Sequence, residues 1–467
     1  MNDKIIINSK DTVGVCLKSN GEIPAGHKFA LRDIKAGEHV IKYGESIGKA
    51  TKDIKEGEWV HTHNLKSDLG EIKTYAYDFS ANVPEKSTKT FKGFKRSNRR
   101  AGVRNDIYII PTVGCVNAVC KRLESDAQKY VTGSIDSIVS LTHQFGCSQL
   151  GIDNQNIKKL LCSIALNPNA SFVLFVGLGC ENNTLDGIKE YLKPFNLDYV
   201  EYFNCQDVSD EHEYGLKILK SFSDKAKNYA REEIDISELC IGLKCGGSDG
   251  YSGITANPLV GRVTDMVIGA GGSAVLTEVP EMFGAEMILM NKCKDEETFT
   301  KYVNMINDFK NYYLEQGFPV YENPSPGNKK GGITTLEEKS LGCIEKAGST
   351  AVLDVLDYGD VVKERGLSVL NGPGNDLIAS TALGASGCQM VLFTTGRGTP
   401  FSTFVPTMKI STNDYLADNK KGWIDFNAYS MDEKGLYDLV IKTANGEYKC
   451  KSEDQKEIAF YKTGVTL

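Results

Sequence analysis

Residues 172–180 read FVLFVGLGC, an apolar run that ends in a glycine–cysteine turn. A short apolar run bounded by turn residues is typical of a strand buried on both faces of a parallel sheet. The same pattern, with a Gly/Cys or Gly/Arg turn, occurs in four other segments: 109–115, 138–147, 241–250 and 390–400. Because parallel strands all end at one edge of a sheet, where ligands bind, we expect the five turns to form one composite site. This arrangement predicts an enzyme.

From residue 101 onwards, apolar segments alternate with longer amphipathic ones. The amphipathic segments predicted as helices are 118–130, 156–166, 184–192, 211–230 and 295–316. Strand–helix alternation predicts an α/β fold with mostly parallel, Rossmann-like sheet regions covered by helices. A loop rich in proline, glycine and asparagine, residues 321–332, marks the expected boundary between two α/β parts.

The N-terminal part contains an internal repeat. The sequence DIKAGEHV at 33–40 recurs as DIKEGEWV at 53–60. Each copy combines a turn with a strand, which is the pattern of a small all-β unit made of two similar hairpins. The expected domains are a β domain at 1–70, a linker at 71–100, an α/β domain at 101–330, and a second α/β subdomain with a helical tail at 331–467.

Composition narrows the class of protein. The 467 residues carry 54 basic and 61 acidic side chains, a net charge of −7, so nothing predicts a nucleic-acid partner. No apolar run approaches the roughly 18 residues of a membrane helix, and the N-terminus has no signal-peptide core. The 13 cysteines lack paired spacing, which fits a reducing compartment. We expect a cytoplasmic homo-oligomer that binds neither nucleic acid nor membranes.

Three cysteines follow predicted strands directly. Cys115, Cys147 and Cys180 each occupy such a position, and Cys245 is a possible fourth. Thiolates gathered at one sheet edge suit a soft metal, either a single iron or zinc ion or an iron–sulfur cluster. The alternative is that these cysteines are small residues required by tight turns. No local metal motif such as CxxC is present, so the metal prediction depends on the fold.

Histidines supply the next candidates. His61 and His63 belong to an HTHN sequence at the end of the second repeat. On a strand, residues two apart face the same side, so both imidazoles would meet one metal ion or one anion. The alternative is a pair of exposed histidines at a strand end. His143 precedes Cys147 by four residues and is the preferred general acid or base, because imidazole titrates near neutral pH.

Other segments predict anion binding. The turn KCGGSDG has the glycine and hydroxyl content of an anion cradle, and Arg397 in TGRGTP suits two-pronged capture of a carboxylate. Asn328 and Lys329 lie in a segment that would form a lid with a cationic tip, or an ordinary surface loop. The cradle residues are Gly246, Gly247, Ser248 and Asp249. The acidic residues beside strand ends, as metal ligands, general bases or helix caps, are Glu181, Glu278 and Glu281.

Together these patterns predict a small polyhydroxy-acid or polyanionic substrate. Arginine and glycine turns would hold a carboxylate, and a metal with acid–base groups would act on the reacting carbons. Two function classes remain open, a metal-assisted lyase and a ligand-binding or assembly protein whose cysteines merely pack. The iron content of the purified protein would separate them.

Several longer motifs carry a resemblance to a known family. The chain contains VHTHN, PTVGCVN, FGCSQLG, LGCENN, GLKCGGSDG, LTEVPEMFGAE, ENPSPGNKKGGITTLE and FTTGRGTP. In these motifs the chain resembles, nearly end to end, the altronate/galactarate dehydratase family of sugar-acid dehydratases, which includes sulfolactate sulfo-lyases. Within the family, HTHN, LTEVPEMFGAE and WIDF at 423–426 resemble the altronate branch.

The resemblance implies an N-terminal SAF-type β domain joined to an α/β region. It also implies a hydro-lyase that converts D-altronate to 2-dehydro-3-deoxy-D-gluconate and water in hexuronate breakdown, with iron (Fe²⁺), replaceable by Mn²⁺, as the metal. The alternatives are dehydration of another aldonic or aldaric acid such as galactarate, or a non-catalytic protein of the same fold.

We assign roles to these residues as hypotheses. Arg397 and the glycine turn hold the substrate carboxylate, Lys329 closes over its far hydroxyls, and His143 transfers the proton. His61 and His63 complete the metal site or contact the leaving hydroxyl. The iron is either a single ferrous ion or a 4Fe-4S cluster with one open iron, and its thiolate ligands are Cys115, Cys147 and Cys180.

Overall fold

The computed structural model describes residues 3–70 and 74–467. They form a small antiparallel β domain, a region built on a four-stranded parallel sheet, and a region built on a seven-stranded parallel sheet. The predicted α/β fold with a small N-terminal β domain is confirmed. Within the described ranges, no helix is both long enough and apolar enough to span a membrane.

The N-terminal domain contains two small antiparallel sheets, with strand orders β1-β2-β3-β6 and β4-β5-β7. The predicted repeat is visible in three dimensions, because Ile34 and Ile54 form an antiparallel bridge between the two copies. Each copy also pairs its lysine with the aspartate of the other: Lys35 Nζ lies 3.0 Å from Asp53, and Lys55 Nζ lies 2.8 Å from Asp33. The strands are Lys4–Ile5, Val13–Cys16, Lys28–Ala30, His39–Lys42, Glu45–Ala50, Trp59–Val60 and Leu65–Lys66 (β1–β7).

The segment predicted as a linker packs against the rest of the protein in its described part. Strand β8 (Thr90–Gly93) pairs antiparallel with a later strand, Glu232–Asp235. The Tyr75 hydroxyl donates to Glu286 at 2.7 Å, and the Tyr77 hydroxyl donates to the Cys293 carbonyl at 2.6 Å. The segment is therefore a strap fixed by side-chain hydrogen bonds, and its description as a linker is corrected.

The second region is a four-stranded parallel sheet of order β10-β9-β11-β12. Its central strand β11 is buried along its whole length, which explains the uninterrupted apolar run in the sequence. The four helices match the first four predicted ones. The elements are β9 (Asp106–Pro111), α1 (Asn117–Ala127), β10 (Ser137–Ser140), α2 (Gly151–Leu166), β11 (Ala170–Gly177), α3 (Leu185–Leu192), β12 (Val200–Asn204) and α4 (Glu211–Ala226).

The third region is a seven-stranded parallel sheet of order β16-β17-β15-β14-β18-β20-β21, accompanied by a two-stranded sheet, β19-β22. Its strands are β13 (Glu232–Asp235, paired with β8), β14 (Cys240–Cys245), β15 (Ser273–Leu276), β16 (Val352–Leu356), β17 (Leu367–Leu370), β18 (Met390–Thr395), β19 (Ser402–Thr403), β20 (Thr407–Ser411), β21 (Phe426–Asn427) and β22 (Lys456–Glu457). Its helices are α5 (Ala256–Gly269), α6 (Glu286–Met290), α7 (Glu296–Glu315), α8 (Pro326–Lys330), α9 (Leu336–Ile344), α10 (Asp376–Ala385), α11 (Asp414–Asn419) and α12 (Glu433–Ala444).

Two expectations about this architecture are wrong. The five predicted strands exist, but β9, β10 and β11 belong to the four-stranded sheet, whereas β14 and β18 belong to the seven-stranded one. There are therefore two sheet edges and not one composite edge. The boundary predicted at residue 330 also falls inside the third region, because strands from both sides of it share one sheet. The proline- and glycine-rich stretch there is a loop at the sheet edge.

The N-terminal domain docks on helix α9 through a buried charge triad. Lys28 Nζ and Lys42 Nζ each lie 2.8 Å from an oxygen of Glu338, and Lys28 also donates to the Gly332 carbonyl at 2.8 Å. All three charged side chains are almost completely buried. Burial alone would raise the pKa of Glu338, but the two ammonium groups hold it at about 2. The position of α9 therefore depends on the N-terminal domain.

Glu338→Ala should destabilise the protein by about 3–5 kcal/mol, because it leaves two buried ammonium groups without a counter-charge. Denaturant unfolding measures the change. The difference in unfolding free energy between the wild type and this variant should be largest above pH 4.5, the ordinary pKa of a glutamate. It should shrink as the pH falls towards 2, where Glu338 of the wild type becomes protonated.

The matched control is Lys35→Ala, which removes an exposed ion pair and should barely change the unfolding midpoint, because solvent screens that pair. Equal destabilisation by the two variants would contradict the central place given to the buried triad.

Candidate functional site

A cleft of about 650 Å³ opens at the carboxyl ends of the seven-stranded sheet. Its floor follows β14, β15, β17 and β18, and its roof comes from the loop before α8 and from α9. The predicted site residues among its lining are Gly246, Gly247, Asn328 and Glu281. Further lining residues include Cys245, Asn323, Lys339, Asp376, Glu322 and Glu457.

The glycine turn after β14 forms one wall. Gly247 has a φ of +61°, a backbone conformation that favours glycine. A side chain at Gly246 would place its Cβ 2.5 Å from the Phe393 ring and 2.6 Å from the Asp376 carboxylate, so a larger residue does not fit. The Ser248 hydroxyl is buried and has no hydrogen-bond partner among the described residues. Backbone and hydroxyl donors in such a turn suit an anion.

Asp249 does not face a ligand, contrary to the prediction. Its carboxylate accepts hydrogen bonds from the Thr412 hydroxyl and the Asn413 amide, each at 3.0 Å, and from the Ser252 hydroxyl at 3.1 Å. Burial raises its pKa, although these donors oppose the shift. The side chain is fully engaged inside the protein, and it holds the glycine turn in place.

The lid and the arginine turn meet at the rim of the cleft. Asn328 on α8 donates its side-chain amide to the Ser248 carbonyl at 2.8 Å, which ties the lid to the glycine turn. Arg397 is exposed and lies beside Gly327 and Gly247. Lys329 is half-buried on α8. The structure thus brings Arg397, the lid and the glycine turn to one place, as the sequence predicted.

Buried charges support the floor of the cleft. Lys244 contacts Glu278 and lies 2.9 Å from Asp376, and Lys346 lies 3.6 Å from Glu278. Burial and the Cys245 thiol raise the pKa of Glu278 well above its ordinary value, although Lys244 opposes the shift. Glu278 also has a φ of +76°, a strained value for a residue other than glycine, of the kind found at functional sites.

Glu281 and Lys339 form the ion pair that faces the cleft. Lys339 Nζ lies 2.8 Å from Glu281 and 3.1 Å from the Asn323 side-chain oxygen. Burial would raise the pKa of Glu281, but the charges of Lys339 and Lys244 hold it at about 2. Burial would lower the pKa of Lys339, but the negative charge of Glu281 raises it above its ordinary value. The cleft therefore presents a charged ammonium group at neutral pH.

Two thiols lie under this ion pair. Cys245 Sγ is 3.2 Å from Cys343 Sγ, and Glu281 Oε2 lies 3.5 Å from the first and 3.2 Å from the second. In the described part of the chain, this is the set of three possible metal ligands within 4.8 Å of one another. It does not fit a metal ion, because Lys339 and Lys346 already place positive charge beside these atoms.

The predicted iron ligands lie at the other sheet edge. Cys115, Cys147 and Cys180 are exposed free thiols on the loops after β9, β10 and β11. We call them the thiol cluster. Each of these cysteines lies six or seven residues along the chain after one of three residues that pair side by side in the sheet. The three paired residues are Ile109 on β9, Ser140 on β10 and Leu174 on β11.

Hydrogen bonds tie the three loops together. The Gly114 N–H donates to the Phe145 carbonyl at 2.9 Å, and the Asn183 N–H donates to the Gly146 carbonyl at 3.0 Å. The Asn183 side chain is fully buried, and neither of its polar atoms has a partner among the described residues. Matched loops, exposed thiols and an unpartnered amide fit a bound soft group.

The thiol cluster can be compared with the ligand spacing that each predicted kind of iron site requires. Sulfur ligands about 2.3 Å from one ion lie within roughly 4.6 Å of one another. Across residues 3–70 and 74–467, these three thiols do not form such a set. A cluster attaches its cysteines to different iron atoms and so accepts wider spacing. The three thiols therefore do not form a compact single-ion set, and the kind of iron site stays a prediction.

His143 is not placed to act as the predicted general acid or base. Its Nε2 lies 2.7 Å from the Pro111 carbonyl, and its Nδ1 accepts from the Phe145 N–H at 3.2 Å. Burial lowers its pKa to about 4. Both ring nitrogens are thus used by the backbone, and the neutral ring holds the loop that carries Cys147.

His61 and His63 do not converge on one ligand. They lie in a turn after β6 and not on a strand, so the expected common face is absent. His61 Nδ1 lies 2.9 Å from the Thr334 hydroxyl, and its ring stacks on Trp59 at 5.7 Å. Burial and Lys28 lower its pKa to about 4. His63 is exposed against the edge of Trp59, and neither histidine lines the cleft.

The C-terminal segment connects the cleft with the thiol cluster. Glu457 lines the cleft, and the ring of Phe460 lies 5.1 Å from that of His143. Three residues of chain span at most about 11 Å between Cα atoms. The two sheet edges are therefore neighbours on the molecule.

Three family models match the chain in succession. They are an altronate/galactarate dehydratase SAF domain at residues 4–68, a D-galactarate dehydratase/altronate hydrolase second domain at 93–227, and a D-galactarate/altronate dehydratase C-terminal model at 236–466. The chain belongs to the altronate/galactarate dehydratase family. The three matched segments coincide with the three structural regions, and the SAF domain is the N-terminal β domain.

Three relatives that match nearly the whole chain are dehydratases, which are hydro-lyases. The chain is 52% identical to an altronate dehydratase of Bacillus subtilis, covering 97% of this chain and 94% of the relative. It is 47% identical to an altronate dehydratase of Escherichia coli, covering 96% and 93%. It is 31% identical to the L-threo-forming galactarate dehydratase of E. coli, over 96% of this chain and 94% of that relative. The chain is accordingly a hydro-lyase enzyme.

Sequence reasoning missed Lys339 and Cys343 as site residues of this dehydratase. Both lie on α9, whose nine residues LEEKSLGCI are all buried, including the charged ones. Periodicity predicts burial from apolar residues and so does not flag a helix that buries charges in pairs. The available signal was its position directly after the glycine-rich lid.

Alkylation should separate the thiol cluster from the other cysteines. In the native metal-free protein, iodoacetamide should modify the three cluster cysteines first, because they are exposed. Peptide mass spectrometry after a short pulse measures this. Cys162 and Cys240, which are fully buried, should react only after denaturation. Equal labelling of these two in the native state would contradict the fold described for the second and third regions.

Proposed function

We propose that this enzyme dehydrates D-altronate to 2-dehydro-3-deoxy-D-gluconate and water. The observation that carries the proposal is the identity of 52% and 47% to two altronate dehydratases, against 31% to a galactarate dehydratase. The cleft volume of about 650 Å³ lies in the range of small-molecule sites.

The charges that line the cleft favour a substrate with one carboxylate. Arg397 and the donors of the glycine turn would bind it, since a guanidinium grips a carboxylate with two parallel hydrogen bonds. Glu322 and Glu457 add two acidic side chains to the lining. A second carboxylate, as in galactarate, would meet their repulsion, whereas the terminal hydroxymethyl group of an aldonate would not. This favours an aldonic over an aldaric acid.

Dehydration needs help at two carbons. The proton on C2, beside the carboxylate, is weakly acidic, and hydroxide is a poor leaving group at C3. The positive charges of Arg397 and Lys339 would stabilise the negative charge that develops when the C2 proton is removed. The C3 hydroxyl must receive a proton in order to leave as water. Lys339 Nζ, a charged ammonium group in the cleft, would donate that proton. The resulting enol then tautomerises to the 2-keto acid.

We further propose that the thiol cluster holds iron, either as Fe²⁺, replaceable by Mn²⁺, or as a 4Fe-4S cluster. Cys115, Cys147 and Cys180 would be the ligands. Bound iron would supply a Lewis acid for a substrate oxygen. The link from Glu457 to Phe460 supports a cofactor position beside the cleft. The geometry described above does not support His61, His63 or His143 in this chemistry.

The predicted cytoplasmic location and homo-oligomeric state remain part of the proposal. What supports a reducing compartment is that the 13 cysteines lack paired spacing in the sequence. The assay conditions should accordingly be anaerobic and reducing.

A substrate panel tests the proposed reaction. Anaerobic, iron-reconstituted enzyme should give a 2-keto-3-deoxy product from D-altronate with a kcat/KM at least tenfold above that for galactarate. Glu457→Gln should narrow this preference, because it removes one negative charge near the far end of the substrate. Glu315→Gln, an exposed residue outside the cleft lining, is the matched control. Preference for galactarate by the wild type would refute altronate as the substrate.

Metal analysis tests the proposed iron site. Cys147→Ser should lose bound iron and activity together, whereas Cys162→Ala, at a buried position on α2, should keep both. A visible absorption band that air bleaches would identify a cluster, and its absence would identify a single ferrous ion. Unchanged iron content in Cys147→Ser would remove the thiol cluster from the proposal.

A further inference from the structure

The thiol pair under the cleft has no assignment so far. Cys245 is the last residue of β14, directly before the glycine turn, and it lines the cleft. Cys343 lies behind it on α9, with the two Sγ atoms 3.2 Å apart. Both side chains are buried, and both touch the same oxygen of Glu281.

The surroundings of Cys245 favour its thiolate. Burial opposes charge, but a hydrogen bond from Cys343 and the charge of Lys346 outweigh it, so the pKa of Cys245 is lowered and that of Cys343 is raised. The ionisable groups that face the pair are Lys244 from β14, Glu278 and Glu281 from the turn after β15, Lys339 and Lys346 from α9 and the turn after it, and Asp376 from α10.

Three carboxylates in or under the cleft are paired with lysines. Glu281 is paired with Lys339, Glu278 with Lys244, and Asp376 with Lys244 as well. Of the described residues that line the cleft, none is a histidine. Glu322 and Glu457, the remaining carboxylates of the lining, are exposed and lie on the loop before α8 and on β22. Cys245, by contrast, is adjacent to the carboxylate-binding turn, which makes its thiol the base candidate at that place.

We propose that Cys245 is the general base that removes the proton from the carbon next to the substrate carboxylate, with Cys343 as the residue that positions it. The inference rests on the proposed dehydration, since it names the base for that reaction. The juxtaposition that carries it is a cleft-lining thiol, adjacent to the glycine turn, in contact with a second thiol and linked through Glu281 to Lys339.

The proton balance closes within these residues. The Cys245 thiolate takes the C2 proton and becomes a thiol, and the electron pair of the C–H bond forms the C2–C3 double bond. The C3–O bond breaks, and the hydroxide leaves as water with a proton from Lys339. The thiol proton then returns to the neutral Lys339 amine along the Glu281 carboxylate, whose two oxygens contact the thiol and the amine. The enol product tautomerises without net gain or loss of protons.

Kinetics of Cys245→Ala and Cys245→Ser test the proposal. We expect kcat to fall at least about 100-fold, the lower end of what a positioned base contributes, with KM and iron content nearly unchanged. D-altronate deuterated at C2 should show a primary isotope effect in the residual turnover. Cys293→Ala, at a buried cysteine that follows α6 and does not line the cleft, is the control and should retain wild-type kcat. An unchanged kcat in both Cys245 variants would overturn the inference while leaving the proposed dehydration intact.

A measurement without turnover separates this inference from the substrate assignment. Methyl methanethiosulfonate modifies thiolates, and peptide mass spectrometry between pH 5 and 9 gives the rate at which it modifies Cys245. The midpoint pH of this rate profile should lie well below about 8.5, the pKa of a free thiol. Cys343→Ala should move that midpoint upwards, because the hydrogen bond to the thiolate is lost. D-altronate should protect Cys245 from modification.

The two proposals then fail differently. If the wild type does not dehydrate D-altronate but Cys245 still shows the low midpoint and is protected by another sugar acid, the substrate is wrong and the base stands. A midpoint of an ordinary thiol, unaffected by Cys343→Ala, overturns the base whatever the substrate.

Discussion

The buried ion pairs of helix α9 hold the SAF domain, the lid and the sheet edge together. Glu338 joins the helix to Lys28 and Lys42 of the SAF domain, and the adjacent Lys339 joins it to Glu281 at the cleft. Because unpaired charge is costly in a protein interior, each of these groups restricts where its partners lie. A helix without an exposed face thereby fixes both a domain contact and the charge pattern of the active cleft.

The elements of the α/β regions could be predicted from sequence, but their distribution between sheets could not. The apolar run of β11 and the amphipathic helices α1–α4 have strong local signals, since periodicity depends on neighbouring residues. Whether β14 pairs with β9 or with β18 depends on contacts between residues more than a hundred positions apart. Five similar strand ends therefore suggested one edge, whereas the chain builds two edges side by side.

The same limit applies to the site. The glycine turn, Asn328 and Arg397 could be found because glycine and arginine at strand ends have specific geometric uses. Cys343 and Lys339 could not, because their importance comes from pairing across the fold with Cys245 and Glu281. Imidazoles misled the sequence reasoning for a related reason: a histidine that supports a backbone loop has the same local sequence as one that moves protons.

The repeat in the SAF domain has the geometry of an assembly of two identical halves. The first copy gives its lysine to the aspartate of the second and receives the reverse contact, which is the self-complementary pattern of a two-fold symmetric dimer interface. Here both halves belong to one polypeptide, so the symmetry is approximate and free to diverge. The two copies have diverged accordingly: the second contacts the catalytic region through His61, which stacks on Trp59, and the first contacts it through Lys42.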